Sequence, residues 1–126
     1  MNSDNVEYCR RVADKLDIIV SDYAYIDDDM NVKDARDYDG SDNLEQYTLC
    51  DWIQENVLDV QYICDSMRRM IDVRVYVTLG GPTCWIDTES CCVKLTWGTE
   101  SASYGLDWDT CDGIRDYFAE WYNDRA

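Results

Sequence analysis

The sequence has no histidine, one proline, one phenylalanine and only 11 basic residues. Without histidine, Ser–His and Cys–His nucleophile arrangements cannot be built. No CxxC pair occurs among the seven cysteines, so zinc ribbons and thioredoxin-type redox motifs are excluded. No run of 18 apolar residues exists, and the polar start MNSDNVEYCRR lacks the apolar core of a signal peptide. These gaps lead us to expect a protein of the bacterial cytoplasm with no membrane contact. The few bases also argue against direct binding of nucleic acid, whose backbone attracts cations. The seven cysteines are accordingly expected to be reduced and mostly buried.

Acid is what the chain has in excess. There are 27 acidic residues, 21 of them Asp, and the net charge is −16. Such charge works against compaction. Yet 46% of the 126 residues are apolar, with five Trp and ten Tyr, too much for a disordered chain. One folded domain over residues 1–126 is expected, with an acidic loop or extension at about 26–45.

Hydrophobic periodicity gives the elements. Val6, Cys9, Ala13, Leu16, Val20 and Tyr23 step by threes and fours, which predicts a helix over 4–24, with Asp4 and Glu7 as a capping box. A second helix over 48–58 starts at Thr48, with Asp51 three residues on, and buries Leu49, Trp52, Ile53 and Val57. Strict alternation in IDVRVYVTL, with Val73, Val75, Val77 and Leu79 against Asp72, Arg74, Tyr76 and Thr78, predicts a half-buried strand. GGPT is a turn. CWID and CCVKLTW form a hairpin; with Thr88 and Glu89 at its centre, Ile86 faces Cys91 and Cys84 faces Val93. One face then carries Cys84, Ile86, Cys91, Val93, Leu95 and Trp97, and the other Trp85, Cys92, Lys94 and Thr96. DVQYIC and SASYGL supply further short strands. A last helix over 108–122 buries Trp108, Cys111, Ile114, Phe118 and Trp121, capped by Asp107 or Asp109 and weakened by Gly113. The fold class is α+β: a three- to five-stranded antiparallel sheet with N-terminal, middle and C-terminal helices on one face.

IDDDMNVKDARDYDGSD, residues 26–42, holds seven aspartates. Aligned as a calcium loop from Asp34 to Glu45, it places Arg36 and Tyr38 at ligand positions and Asp39 where glycine is needed, which excludes an ordinary EF-hand. GGPT lacks the lysine and helix start of a phosphate loop. No metal, cofactor or catalytic residue is therefore assigned, although a carboxylate-metal hydrolase stays an alternative. Asp109, Asp112, Asp116, Glu120 and Asp124 form a second acidic row on the last helix, at spacings that carry a mild like-charge cost.

In size, Asp content, charge and absence of catalytic motifs the chain resembles the small acidic inhibitors of host defence nucleases encoded by phages and mobile elements, the DNA-mimicking anti-CRISPR and anti-restriction proteins. The segment VYVTLGGPTCWIDTESCCVKLTWGTESASYGL with its following acidic helix also looks like small proteins of bacterial mobile elements, and this likeness transfers no functional residues. The first resemblance implies a non-enzymatic inhibitor whose nucleic-acid-like surface binds a basic nucleic-acid-binding protein, a CRISPR effector or restriction enzyme. Expected partner-binding residues are Asp27, Asp28, Asp29, Asp34, Asp37, Asp39, Asp42, Asp109, Asp112, Asp116, Glu120 and Asp124, with Tyr25 and Tyr38 as interface aromatics. The alternative is a regulatory or immunity-type interaction module that uses its aromatic sheet face, with Tyr76, Trp85 and Cys92.

Overall fold

The computed structural model describes residues 3–27, 31–35 and 45–125. Helix α1 (Ser3–Val20) is followed by three short strands, β1 (Ala24–Ile26), β2 (Val32–Asp34) and β3 (Glu45–Gln46), then helix α2 (Leu49–Asn56). Five strands follow: β4 (Asp59–Cys64), β5 (Met70–Thr78), β6 (Thr83–Asp87), β7 (Cys92–Trp97) and β8 (Glu100–Gly105). Helix α3 (Trp108–Arg125) closes the chain. β4 to β8 pair in sequence order as an antiparallel meander, and β2-β1-β3 form a separate small sheet. α1 packs on β7 and β8, α3 on β5 and on α1, and α2 on α1, so the helices lie on one sheet face. The α+β class and the helix-covered antiparallel sheet are as the sequence predicts. No helix among the described residues is long and apolar enough to cross a membrane.

The core lies between helices and sheet. Cys9, Ala13, Leu16 and Ile19 of α1 meet Val73, Val75, Cys84, Ile86, Val93 and Leu95 of the sheet and Ile114 and Phe118 of α3. α2 carries the full capping box at Thr48: Asp51 N–H donates to the Thr48 hydroxyl at 3.2 Å, and Thr48 N–H donates to the Asp51 carboxylate at 3.0 Å.

Several expectations require correction. α1 stops at Val20, four residues early. Asp22 adopts φ +64°, its N–H donates to Ile19 O at 3.1 Å, and Tyr23 N–H donates to Ile18 O at 2.9 Å. That is a Schellman stop, with aspartate in the position glycine usually fills. The buried stripe consequently ends at Ile19, and Tyr23 is exposed. Asp4 lies inside the first turn of α1 rather than at its cap, and Glu7 pairs with Arg10.

The central hairpin also differs. Ile86 pairs with Val93 and Cys84 with Leu95, a shift of two residues from the expected register. An even shift keeps every side chain on its face. The cause is a four-residue loop, 88–91. Asp87 Oδ1 accepts from Glu89 N–H at 3.0 Å and Ser90 N–H at 3.4 Å, and Cys91 leaves the ladder at φ +56°. Cys91 bonds to Cys111 of α3, and Cys50 and Cys64 are exposed, so the expectation of reduced, mostly buried thiols fails for these four. Leu79, just past the end of β5, and Trp97, at the end of β7, are exposed rather than on the buried face.

Trp108 and Trp121 are exposed, not buried. At about 100° per residue, Trp108 lies about 90° from the mean direction of Cys111, Ile114 and Phe118, and Trp121 about 50° on the other side. The stripe is three residues wide and ends there. The small sheet lies where the sequence suggested only an acidic extension.

Candidate partner-binding surfaces

Three contacts fix the rotation of α3. Gly113 faces Val20, so closely that a Cβ there would lie 2.8 Å from Val20 Cγ1. Cys111 is tied to Cys91 in the β6–β7 loop. Arg115 reaches back to the sheet: its Nε donates to Asp72 Oδ1 at 3.1 Å and its Nη2 to Thr88 O at 3.1 Å. Thr88, almost fully buried, donates its hydroxyl to Asp72 Oδ1 at 2.9 Å and accepts from Val73 N–H at 3.0 Å.

With α3 held this way, Asp109, Asp112, Asp116 and Glu120 stand exposed opposite the buried stripe. Their mean direction is about 180° from that of Cys111, Ile114 and Phe118. Arg115 Nη1 donates to Asp112 Oδ1 at 2.8 Å. Asp109, Asp116 and Glu120 have no ion pair among the described residues. Asp124 belongs to the α3 backbone, and its side chain lies outside the description.

A second acidic group had no signal in the sequence. Asp14 and Asp17 of α1, Asp34 of β2 and Asp107 before α3 line one cavity of about 390 Å³, together with Lys15 and Ile18. Asp14 accepts from Arg10 Nη1 at 3.0 Å, and Asp17 is held from across the fold. Its Oδ1 accepts from the Thr110 hydroxyl at 2.6 Å and from Asp107 N–H at 3.2 Å, which ties α1 to the start of α3. Burial raises the Asp17 pKa above the usual aspartate value. The two hydrogen bonds oppose that rise, and the charges of Asp107 and Asp14 add to it. Asp107 therefore belongs to this cavity and also leads into the row on α3.

The residues expected in the acidic extension divide. Asp27 is occupied locally: its Oδ1 accepts from Asn31 N–H at 2.8 Å, and Lys33 Nζ lies 3.7 Å from its Oδ2. It closes the β1–β2 turn and is not a free surface charge. Asp34 lies on β2, and Tyr25 is half-buried on β1 opposite Lys33 and Gln46. Asp28, Asp29, Asp37, Tyr38, Asp39 and Asp42 lie outside the described residues. No three acidic or thiol groups converge as metal ligands among the described residues.

The sheet face turned away from the helices presents a different chemistry. Tyr76 and Trp85 are cross-strand neighbours with ring centroids 5.9 Å apart, and Lys94 follows in the same row. Beside them the nearly buried Asp87 sits between Lys94 Nζ at 3.5 Å and Arg74 Nε at 3.9 Å, with Cys92 opposite it on β7. The Trp85 Nε1 donor is buried without a hydrogen-bond partner among the described residues. Trp85 and Lys94 border a shallow cavity of about 390 Å³ with Thr96, Ser101 and Ser103.

Comparison with known proteins finds no matching family model, no similar curated sequence and no similar solved structure.

Proposed function

We propose that the protein is a non-enzymatic inhibitor that offers an acidic, nucleic-acid-like surface to a basic nucleic-acid-binding protein, a CRISPR effector or restriction enzyme. The observation that carries this reading is the row Asp109, Asp112, Asp116 and Glu120, exposed on the outer face of α3. A soluble helix needs only mixed charges on its outer face. This row spans about 16 Å along the axis, a length over which one DNA strand carries about five phosphates. Asp107 extends it into the cavity formed with Asp14, Asp17 and Asp34. Several of these carboxylates are held by hydrogen bonds, Asp112 by Arg115, Asp17 by Thr110 and Asp14 by Arg10. Held charges suit a partner groove with fixed cations, because less side-chain freedom is lost on binding.

The test is whether the protein competes with duplex DNA for purified effectors of both kinds. Competition should weaken steeply with salt, since charge pairs at an interface are screened. It should also weaken when Asp109, Asp112 and Asp116 become Asn and Glu120 becomes Gln. Binding unaffected by salt and by these changes rules the reading out.

A second reading rests on the Tyr76–Trp85 contact. An aromatic pair on a sheet face that no described helix covers is a common anchor for a protein partner, and it supports a regulatory or immunity-type interaction module. In that case Trp85→Ala abolishes binding, while neutralising the α3 acids leaves it intact.

A further inference from the structure

We propose that the groove between α1 and α2 binds a small organic anion, a carboxylate or phosphate carried on a single flat apolar ring. This site goes beyond the acidic-surface reading and shares no residue with the α3 row.

Most of the few cations are already paired. Among the described residues Arg10, Lys33, Arg69, Arg74, Lys94 and Arg115 each sit in an ion pair. Arg11, Lys15 and Arg68 do not; Arg68 stands alone in the exposed β4–β5 turn, whereas Arg11 and Lys15 lie together on α1. They are one turn apart on α1, so they project from the same face. In a chain with 27 acids, two adjacent cations without a carboxylate within ion-pair distance are unexpected. Glu7 is near enough for the Arg11 charge to help lower its pKa, but its carboxylate is held mainly by Arg10. Lys15 stands over the Tyr47 ring, 5.9 Å from its centroid, and also borders the acidic cavity.

Both cations open into a concavity of about 280 Å³ that is also lined by Tyr8, Val12, Trp52, Asn56 and Val77. Trp52 is almost fully buried and cannot swing away. Burial, the largest cause, holds the Tyr8 hydroxyl above its usual pKa, so it remains a neutral donor. Convergent polar groups over apolar walls are the usual make-up of a small-ligand site. The volume lies below that of drug-sized pockets, which sets the limit at one ring. Arg11 offers the forked donor geometry that matches carboxylate and phosphate, with Lys15 as a second point charge. The overall negative charge does not forbid this. At physiological salt fields are screened within about 8 Å, so the two cations in the groove dominate at contact.

The test uses the intact, isotope-labelled protein titrated with phenyl phosphate, followed by amide and indole chemical shifts. Benzyl alcohol and inorganic phosphate serve as the ring-only and anion-only controls. Saturable binding is expected, with shifts centred on Arg11, Lys15 and the Trp52 indole. Each control should bind at least about tenfold more weakly, and so should the Arg11→Gln/Lys15→Gln variant. Both positions are on the helix surface, and an unchanged urea midpoint verifies that the variant is folded. Arg11→Lys with Lys15→Arg, which keeps both charges, should retain binding. The proposal is overturned by absence of saturation at about 10 mM, by unchanged affinity in the Gln variant, or by shifts centred elsewhere. None of these outcomes bears on whether the α3 acids bind a basic protein.

Discussion

Replacing Gly113 by alanine sets two effects of opposite sign against each other. Gly113 lies in the second turn of α3, where alanine is favoured over glycine by about 1 kcal/mol in helix propensity. The new Cβ, however, would lie 2.8 Å from Val20 Cγ1 and 3.8 Å from Val20 Cγ2. Valine in a helix has essentially one χ1 rotamer, so Val20 cannot turn aside, and α1 and α3 must separate. Overpacking of this kind costs about 1–3 kcal/mol. The steric cost wins: Gly113→Ala should lower stability by about 1 kcal/mol. In a Val20→Ala background the obstruction is gone, and the same change should raise stability by about 1 kcal/mol. The coupling between the two sites is then about 2 kcal/mol, well outside the additivity expected of independent positions. Urea unfolding of the four proteins, followed by far-UV circular dichroism, measures it. An identical effect of Gly113→Ala in both backgrounds would show that the helices do not approach at this point. The rotation assigned to the α3 acids would lose one of its three supports.

Two further perturbations test the frame around the candidate surfaces. Reducing the Cys91–Cys111 bond, which spans 20 residues, should cost about 3 kcal/mol on the chain-entropy estimate. Labelling under native conditions should reach Cys50 and Cys64 but not Cys9 or Cys84, whose thiol burial pushes up to about 12. A native mass without the loss of two hydrogens, or unchanged stability after reduction, contradicts the linkage. Asp17 should leave a mark on the pH profile. Its folded pKa is raised, chiefly by burial. The folded state therefore holds the proton more tightly than the unfolded state, and the contribution present below the unfolded pKa is lost as pH rises through the folded one. Asp17→Asn removes that loss and keeps an acceptor for Thr110. Urea unfolding between about pH 4 and 7 should show a flatter profile for the variant, with stability at neutral pH no lower than wild type. A parallel profile would refute the assignment.

Where an element's own residues decide its structure, the sequence could be read directly. The alternation in β5, the threes and fours of α1 and α3, and the Thr48–Asp51 box all act within one segment, and each element is found, with the expected stripes exposed only at their ends. The errors arise where a single backbone conformation, an edge of a helical stripe or a distant group decides. Asp22 stops α1 because aspartate accepts a left-handed φ there, which spacing cannot reveal. The hairpin moved by two residues because Asp87 and Thr88 build a longer loop anchored to β5. Trp108 could have been placed correctly, since its angle on the helical wheel puts it outside the stripe. The row on α3 was legible because it lies within one helix. The cavity of Asp14, Asp17, Asp34 and Asp107 was not, because only the tertiary fold joins α1, β2 and the start of α3. The same holds for the groove at Arg11 and Lys15, where α2 and β5 supply the walls.

The acidic surface as a substitute for nucleic acid is tested most directly by competition against duplex DNA for a purified CRISPR effector and a purified restriction enzyme. The wild-type protein is compared with the variant carrying Asp109→Asn, Asp112→Asn, Asp116→Asn and Glu120→Gln, at about 0.05 and 0.5 M salt. The reading predicts that the wild type displaces DNA from at least one of them at low salt, and that displacement falls steeply at high salt. It also predicts that the variant, folded by circular dichroism, displaces little at either. Displacement that is equal for both proteins and indifferent to salt, or no displacement from either target, contradicts it.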